Sequence, residues 1–178
     1  TDMETAAVLT DHAKILPPRR STGLDTSKTL DNFIVLATNA LAQAAAASVV
    51  SSPGITYNPL LIIGPRGSGK THLLHAIGRE LIARGWVKPD TVIYAPMENI
   101  VLDLMEAEEA GHPLRSLTKY MTGSILLMDD LQLLHNKTDV QEAVSDLIHD
   151  YVDKELQVVV SSSKPLSEIP GLNEGLRN

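Results

Sequence analysis

The sequence predicts an α/β fold in which helices cover both faces of a mainly parallel central sheet, giving three layers. Four short apolar runs lie along the chain, and helix-prone segments separate them. This alternation of strand and helix requires crossover connections, which place successive strands in parallel. A glycine-rich loop also joins the first apolar run to an apolar-periodic segment. These observations together predict a doubly covered parallel sheet.

The composition fits a globular protein and excludes several classes. The 178 residues suffice for one domain with a sizeable core, and 43% of them are hydrophobic. The absence of cysteine excludes disulfides and thiolate metal sites. The sequence has no run long enough to span a membrane and no signal-peptide pattern at its start, so we expect a cytoplasmic protein with no membrane partner. The net charge of −7 argues against a surface that coats nucleic acid, but it leaves room for a small DNA site.

The chain divides into a short leading segment and a core. Residues 1–28 contain a Pro-Pro-Arg-Arg stretch without periodicity and are predicted to be a linker or flexible tail. Residues 29–178 are predicted to form the core. Its first element is an alanine-rich helix over 36–51, with Thr38 or Asn39 as N-cap.

The remaining elements follow from the apolar pattern. Short apolar runs are typical of strands buried on both faces, whereas longer segments with apolar residues three or four apart are typical of helices. Strands are predicted at 58–63, 91–95, 124–128 and 156–161, and helices at 69–84, 98–110, 114–120 and 139–154.

The glycine-rich loop matches the G-x-x-x-x-G-K-[ST] pattern of phosphate-binding loops. Its residues are Gly64, Pro65, Arg66, Gly67, Ser68, Gly69, Lys70 and Thr71. Glycines let backbone N–H groups converge on a phosphate, and the dipole of the following helix adds attraction. Lys70 is predicted to contact the β- and γ-phosphates, which makes it a catalytic candidate, and Thr71 to ligate Mg²⁺. A plain glycine-rich turn is the alternative, but the flanking strand and helix favour a P-loop NTPase that binds ATP or ADP with Mg²⁺.

Polar residues follow the third and fourth predicted strands. Asp129 is a candidate Mg²⁺ ligand, and Asp130 is a candidate catalytic residue that polarises the attacking water. Alone they fit a solvated turn equally well, but ligands bind at the carboxyl ends of parallel strands. Ser163 is a candidate sensor of the γ-phosphate, with a plain polar loop as the alternative. His72, directly after the phosphate loop, is included among the nucleotide contacts.

Six stretches carry a family resemblance: LDNFIV at 30–35, ALAQAAAA at 40–47, YNPL at 57–60, GKTHLLHAIG at 69–78, DDLQLL at 129–134 and EIPGL at 168–172. With them, most of the chain resembles the AAA+ domain of DnaA-type bacterial replication initiators and the related DnaC-type helicase loaders. The resemblance implies that Ile34 and Val35 pack on the adenine. It implies that residues 97–123 are an insertion that helps line a path for single-stranded DNA. It also implies an ATP-dependent switch in assembly, either of this protein with itself or with another AAA+ replication protein.

Several departures from that family limit what we expect. The insertion holds five acidic and two basic side chains, which predicts weak DNA binding at most. Ser163 and Gly175 stand where the family usually has an acidic sensor and an arginine. The sequence stops before the usual arginine finger and helical lid, so we expect weak ATP hydrolysis at most and favour an excised core. The main prediction is an initiator core. A DnaA-like regulator or loader-like ATPase is the alternative, and a small P-loop kinase or transposition helper is a third.

Overall fold

The computed structural model describes residues 23–109, 111 and 117–177. Four strands form one parallel sheet in the order β1-β4-β3-β2. They are β1 (Leu60–Ile63), β2 (Val92–Pro96), β3 (Ile125–Asp129) and β4 (Gln157–Ser162). The predicted parallel sheet is confirmed, and each predicted strand lies within two residues of its observed bounds.

Helices cover both faces of this sheet. The described helices are α1 (Ala40–Ser51), α2 (Lys70–Ala83), α3 (Met97–Glu109), α4 (Thr138–Asp153) and the short α5 (Glu174–Arg177). Short 3₁₀ helices lie at Pro89–Thr91, Leu131–Leu134 and Leu166–Glu168. Of the helix predicted at 114–120, residues 114–116 lie outside the described residues, and residues 118–120 form a turn. None of the described helices combines the length and hydropathy needed to cross a bilayer.

The two faces of the sheet build two separate apolar clusters. Side chains alternate along a strand, so Leu126 and Leu127 of β3 point to opposite faces. Leu127 packs with α1 and α2, whereas Leu126 packs with α3 and α4. Both leucines have no exposed surface. The sheet is therefore buried on both sides, as expected for a three-layer fold.

The first helix begins later than predicted because its N-cap stabilises a turn. Asn39 is the N-cap, but its side chain does not bond to the first helical turn. Asn39 Oδ1 accepts the backbone N–H of Leu36 at 2.7 Å, and its Nδ2 donates to the carbonyl of Ile34 at 3.1 Å. These bonds fold residues 34–39 into a turn, so the helix starts at Ala40.

The described residues before Thr29 contact the core. The backbone N–H of Asp25 donates to His75 Nδ1 on α2 at 3.2 Å, and Leu24 packs against the apolar cluster that contains α2. Residues 23–28, which the sequence assigned to the linker, therefore lie against α2. For residues 1–22, which are outside the described part, the linker stays a prediction.

Candidate functional site

The phosphate-loop residues form a tight turn between β1 and α2. Gly67 and Gly69 adopt φ angles of +78° and +94°, in the left-handed region that favours glycine. Lys70 opens α2 and is buried, and its Nζ donates to the carbonyl of Pro65 at 3.1 Å. The lysine side chain therefore folds back along the loop, so its charge sits beside the backbone that the sequence pattern assigns to phosphate.

Phe33 packs directly against this loop. A Cβ atom on Gly69 would lie 2.7 Å from Cε2 of Phe33, so the close approach requires glycine at that position. The Phe33 ring also meets the His72 ring edge-on, with centroids 5.3 Å apart. His72 Nε2 lies 2.8 Å from the carbonyl of Thr29. His72 thus anchors the segment that carries Phe33 over the start of α2.

A cavity of about 630 Å³ opens between the phosphate loop and the segment before α1. All of the loop residues from Gly64 to Lys70 except Arg66 line one side, and Phe33, Ile34, Leu36 and Asn39 line the other. Ile34 is 76% exposed, so its apolar side chain is free to contact a ligand in the cavity. Val35 is half exposed but is not among the described residues that line the cavity. Of the two predicted adenine contacts, the structure therefore brings Ile34 to the cavity wall.

Asp129 lies at the carboxyl end of β3 and is almost fully buried. Its Oδ2 accepts a hydrogen bond from Thr71 Oγ1 at 2.7 Å and another from the Tyr94 hydroxyl at 2.9 Å. Its Oδ1 accepts a hydrogen bond from Ser161 Oγ. The two predicted metal ligands, Thr71 and Asp129, are thus in direct contact.

Asp130, the residue after β3, has a φ of +64° and is tied to β4. Its backbone N–H donates to Ser161 Oγ at 3.0 Å. Its Oδ1 accepts from Gln132 Nε2 at 2.8 Å, and Gln132 Oε1 accepts the backbone N–H of Ser163 at 2.8 Å. Gln132 therefore links the side chain of Asp130, the predicted catalytic residue, to the backbone of Ser163, the predicted sensor of the γ-phosphate.

Sequence reasoning missed the roles of Tyr94, Ser161, Gln132 and Phe33. A usable signal existed for Ser161. It lies near the carboxyl end of β4, which neighbours β3 in the sheet, whereas Tyr94 lies in the middle of β2. Polar side chains at the ends of neighbouring parallel strands meet at one edge of the sheet. Burial, followed by the negative charge of Asp129, raises the pKa of Tyr94 above the ordinary tyrosine range, so its hydroxyl stays a hydrogen-bond donor.

His75 is buried beside this site and should make the stability of the fold depend on pH. Burial lowers the pKa of His75 below its ordinary value of 6.5. Near and below that value the unfolded chain binds a proton that the folded chain does not, so stability rises with pH there. We therefore expect the free energy of unfolding to fall through this group as the pH decreases from about 7 to 5.5. Denaturant unfolding at the two pH values measures it.

The matched variants for this prediction are His75→Gln and His149→Gln. A glutamine at position 75 retains an acceptor for the Asp25 N–H but does not titrate, so its stability should change less with pH. His149 is exposed on α4, so His149→Gln controls for the loss of a histidine elsewhere in the chain. If the free energy of unfolding changed equally with pH in the wild type and in His75→Gln, burial of an uncharged His75 would not be the cause of the pH dependence.

Comparison with known proteins identifies the family. Residues 24–178 match the family model described as the bacterial DnaA ATPase domain. The chain belongs to this family. DnaA of Aliarcobacter butzleri (strain RM4018) is 36% identical over 158 residues, which cover 89% of this chain and 35% of that protein. DnaA of Tropheryma whipplei (strain Twist) is 34% identical, over 89% of this chain and 33% of that protein. The chain therefore spans about a third of the length of these DnaA relatives.

Solved DnaA structures share the fold. Domain III of Thermotoga maritima DnaA superposes with a TM-score of 0.79 at 33% identity, covering 86% of this chain and 63% of that one. AMPPCP-bound DnaA from Aquifex aeolicus gives 0.78 at 30% identity, covering 87% and 48%. A DnaC helicase loader superposes with a TM-score of 0.64 at 16% identity, over 80% of this chain and 80% of that one. At this low identity the match shows a shared fold and nothing about function. The resemblance to the DnaA AAA+ domain is thus confirmed.

Proposed function

We propose that this chain is the ATP- and ADP-binding AAA+ core of a DnaA-type replication initiator, acting as a nucleotide-dependent switch for assembly. The observation that carries the proposal is the bond between Thr71 and Asp129, which joins the start of α2 to the end of β3. It brings the phosphate-loop helix and the acidic strand end into one site, next to a cavity of about 630 Å³. That volume falls within the range of pockets that hold small ligands.

The phosphates would bind at the loop and the start of α2. Backbone N–H groups from Arg66 to Thr71 would supply donors, because Pro65 has none and that of Gly64 donates to the carbonyl of Ser162. The N-terminal end of α2 adds a favourable dipole. Lys70 supplies a positive charge from a buried position, where a charge-assisted bond is stronger than at the surface. Its present acceptor is the carbonyl of Pro65, which a phosphate oxygen would replace. The base would contact Ile34 and Val35 together with Phe33, and His72 lines the same cavity as Phe33.

The residues present fit Mg²⁺. Within the described part of the chain, no group of three or more His, Asp or Glu side chains could hold a metal ion alone. This suits Mg²⁺, which keeps waters and takes one or two protein ligands together with substrate phosphates. Thr71 donates its hydrogen to Asp129 and keeps its oxygen lone pairs for the metal. Thr71 and Asp129 would hold the metal, which would supply positive charge that offsets the negative charge of the phosphates.

Hydrolysis would rest on Asp130 and would be slow. The carboxylate follows β3 directly and is held by Gln132, a position from which it would polarise an attacking water. Ser163 would report on the γ-phosphate from the end of β4. An arginine supplied by a neighbouring molecule accelerates phosphoryl transfer by about 10³–10⁵ in comparable enzymes, so we expect the isolated chain to be a weak ATPase.

Competition for a fluorescent ATP analogue tests nucleotide binding. ATP and ADP should each displace the analogue from the wild-type chain in the presence of Mg²⁺, because both carry the base and the β-phosphate. Pyrophosphate should compete more weakly because it makes no contact with Phe33 or Ile34. An analogue that does not bind saturably, or that pyrophosphate displaces as well as ATP, would contradict the proposed site.

The charge of α3 favours the second candidate, a DnaA-like regulator that docks on another AAA+ protein or a helicase. This helix has five acidic side chains and no basic one: Glu98, Asp103, Glu106, Glu108 and Glu109. Such a surface repels a phosphate backbone.

By contrast, one DnaA relative, 30% identical, was solved with AMPPCP and single-stranded DNA. An initiator of that kind should shift a single-stranded oligonucleotide in the presence of ATP, with affinity that falls steeply as salt rises. No shift at low salt would favour the regulator.

A further inference from the structure

The Asp129 carboxylate is held by hydroxyl groups from three different elements. Thr71 on α2 and Tyr94 on β2 both donate to Oδ2, and Ser161 on β4 donates to Oδ1. Phosphate-loop proteins are expected to have the first of these bonds, because the sequence motifs contain both partners. The bond from Tyr94 lies outside those motifs.

The register of the sheet explains why Tyr94 reaches Asp129. Tyr94 pairs with Leu127, two residues before Asp129 on β3. Residues paired across parallel strands share a face, as do residues two apart on one strand, so Tyr94 and Asp129 lie on the α2 face. The diagonal between such positions is about 7–8 Å, which a long aromatic side chain spans. A shorter side chain at position 94 would not reach the carboxylate.

The tyrosine ring is itself held in place. It packs against the His75 ring with centroids 4.2 Å apart, and His75 is buried on α2. His75 in turn accepts the backbone N–H of Asp25 at 3.2 Å. The Tyr94 hydroxyl is therefore fixed relative to α2, the helix that carries Thr71.

We propose that Tyr94 is a positioning residue that holds the Asp129 carboxylate in the orientation needed for Mg²⁺-dependent nucleotide binding. The role rests on the proposed function, because it assigns Tyr94 to the same metal site. Tyr94 acts through Asp129, since its hydroxyl bonds to the oxygen that also meets Thr71. Removing this hydroxyl leaves the carboxylate with two partners, Thr71 and Ser161, and with more freedom to rotate.

The test compares Tyr94→Phe with the matched variant Tyr120→Phe. Tyr120 is a buried tyrosine whose hydroxyl likewise donates to an aspartate, Asp103, and neither residue is among those that line the cavity beside the phosphate loop. For each protein, the affinity for a fluorescent ATP analogue is measured across a Mg²⁺ titration and again in EDTA. Loss of an outer-shell partner weakens metal binding by about 10–100-fold. We expect the Mg²⁺ midpoint of Tyr94→Phe to rise about tenfold, with unchanged affinity in EDTA.

The outcomes separate the two proposals. A Tyr94→Phe midpoint equal to those of the wild type and Tyr120→Phe would overturn the role of Tyr94 alone. A wild-type chain that binds no ATP analogue would overturn the proposed function and this inference with it. A large loss of affinity in EDTA would assign Tyr94 to the packing of the site, which also contradicts the proposal. Ser161→Ala, which removes the partner of Oδ1, should raise the Mg²⁺ midpoint in the same direction.

Discussion

Replacing Lys70 with alanine should reduce the affinity for ATP by at least about a hundredfold, or roughly 2.7 kcal/mol. The lysine is the buried cation of the phosphate loop, and charge-assisted bonds to phosphate are among the stronger polar contacts in proteins. The Cβ that remains cannot reach a phosphate oxygen. Equilibrium titration with a fluorescent ATP analogue measures the loss.

Lys88→Ala is the control for this prediction. Lys88 is exposed on the segment before β2. Its replacement by alanine therefore removes the same charge from the chain without changing the phosphate loop. Its affinity for ATP should match that of the wild type within about twofold, since an exposed charge at a distance is largely screened by salt. Unchanged affinity in Lys70→Ala, or an equal loss in both variants, would contradict the phosphate-loop assignment.

Gly69→Ala should destabilise the fold more than any other single change in the loop that adds one methyl group. Its φ of +94° disfavours an L side chain, at a cost of about 1–2 kcal/mol. The new Cβ would also lie 2.7 Å from Phe33 Cε2, and overpacking of this kind costs roughly 1–3 kcal/mol more. The Phe33 ring would be displaced from the cavity wall. Urea unfolding without nucleotide measures the total loss, which we expect to be about 2–5 kcal/mol.

Gly67→Ala separates the two causes. Gly67 has a φ of +78°, but an added Cβ would meet nothing within 4 Å. This variant therefore carries the backbone cost alone, and its unfolding free energy should fall by only about 1–2 kcal/mol. Equal losses in the two variants would show that the contact between Gly69 and Phe33 does not contribute, and would weaken the assignment of Phe33 to the cavity wall.

The parts of the site that could be predicted are those whose chemistry is local in sequence. The turn from Gly64 to Thr71 depends on glycines and a following helix, and the apolar run before Asp129 predicts a buried strand that ends in a carboxylate. Strand alternation predicted the parallel sheet. These features need no knowledge of distant neighbours.

The remaining parts depend on contacts between distant segments. Tyr94 lies 35 residues from Asp129, and Ser161 lies 32 residues from it. Which polar residue meets a given carboxylate depends on strand order and register, which hydrophobic periodicity does not specify. The link between Gln132 and Ser163 likewise depends on how a 3₁₀ turn sits against β4. The contact of residues 23–28 with the core likewise depends on distant partners, since Leu24 packs on the cluster that contains α2 and the backbone N–H of Asp25 donates to His75.

A crystal structure of this chain with Mg²⁺ and AMPPCP tests the central claim most directly. Our account predicts the β-phosphate against the backbone N–H groups that precede Lys70, with the lysine moved from the Pro65 carbonyl to a phosphate oxygen. It predicts the adenine in the cavity beside Phe33, and the metal next to Thr71 and Asp129. A phosphate loop that stays empty at saturating AMPPCP, or an analogue bound elsewhere on the chain, would contradict it.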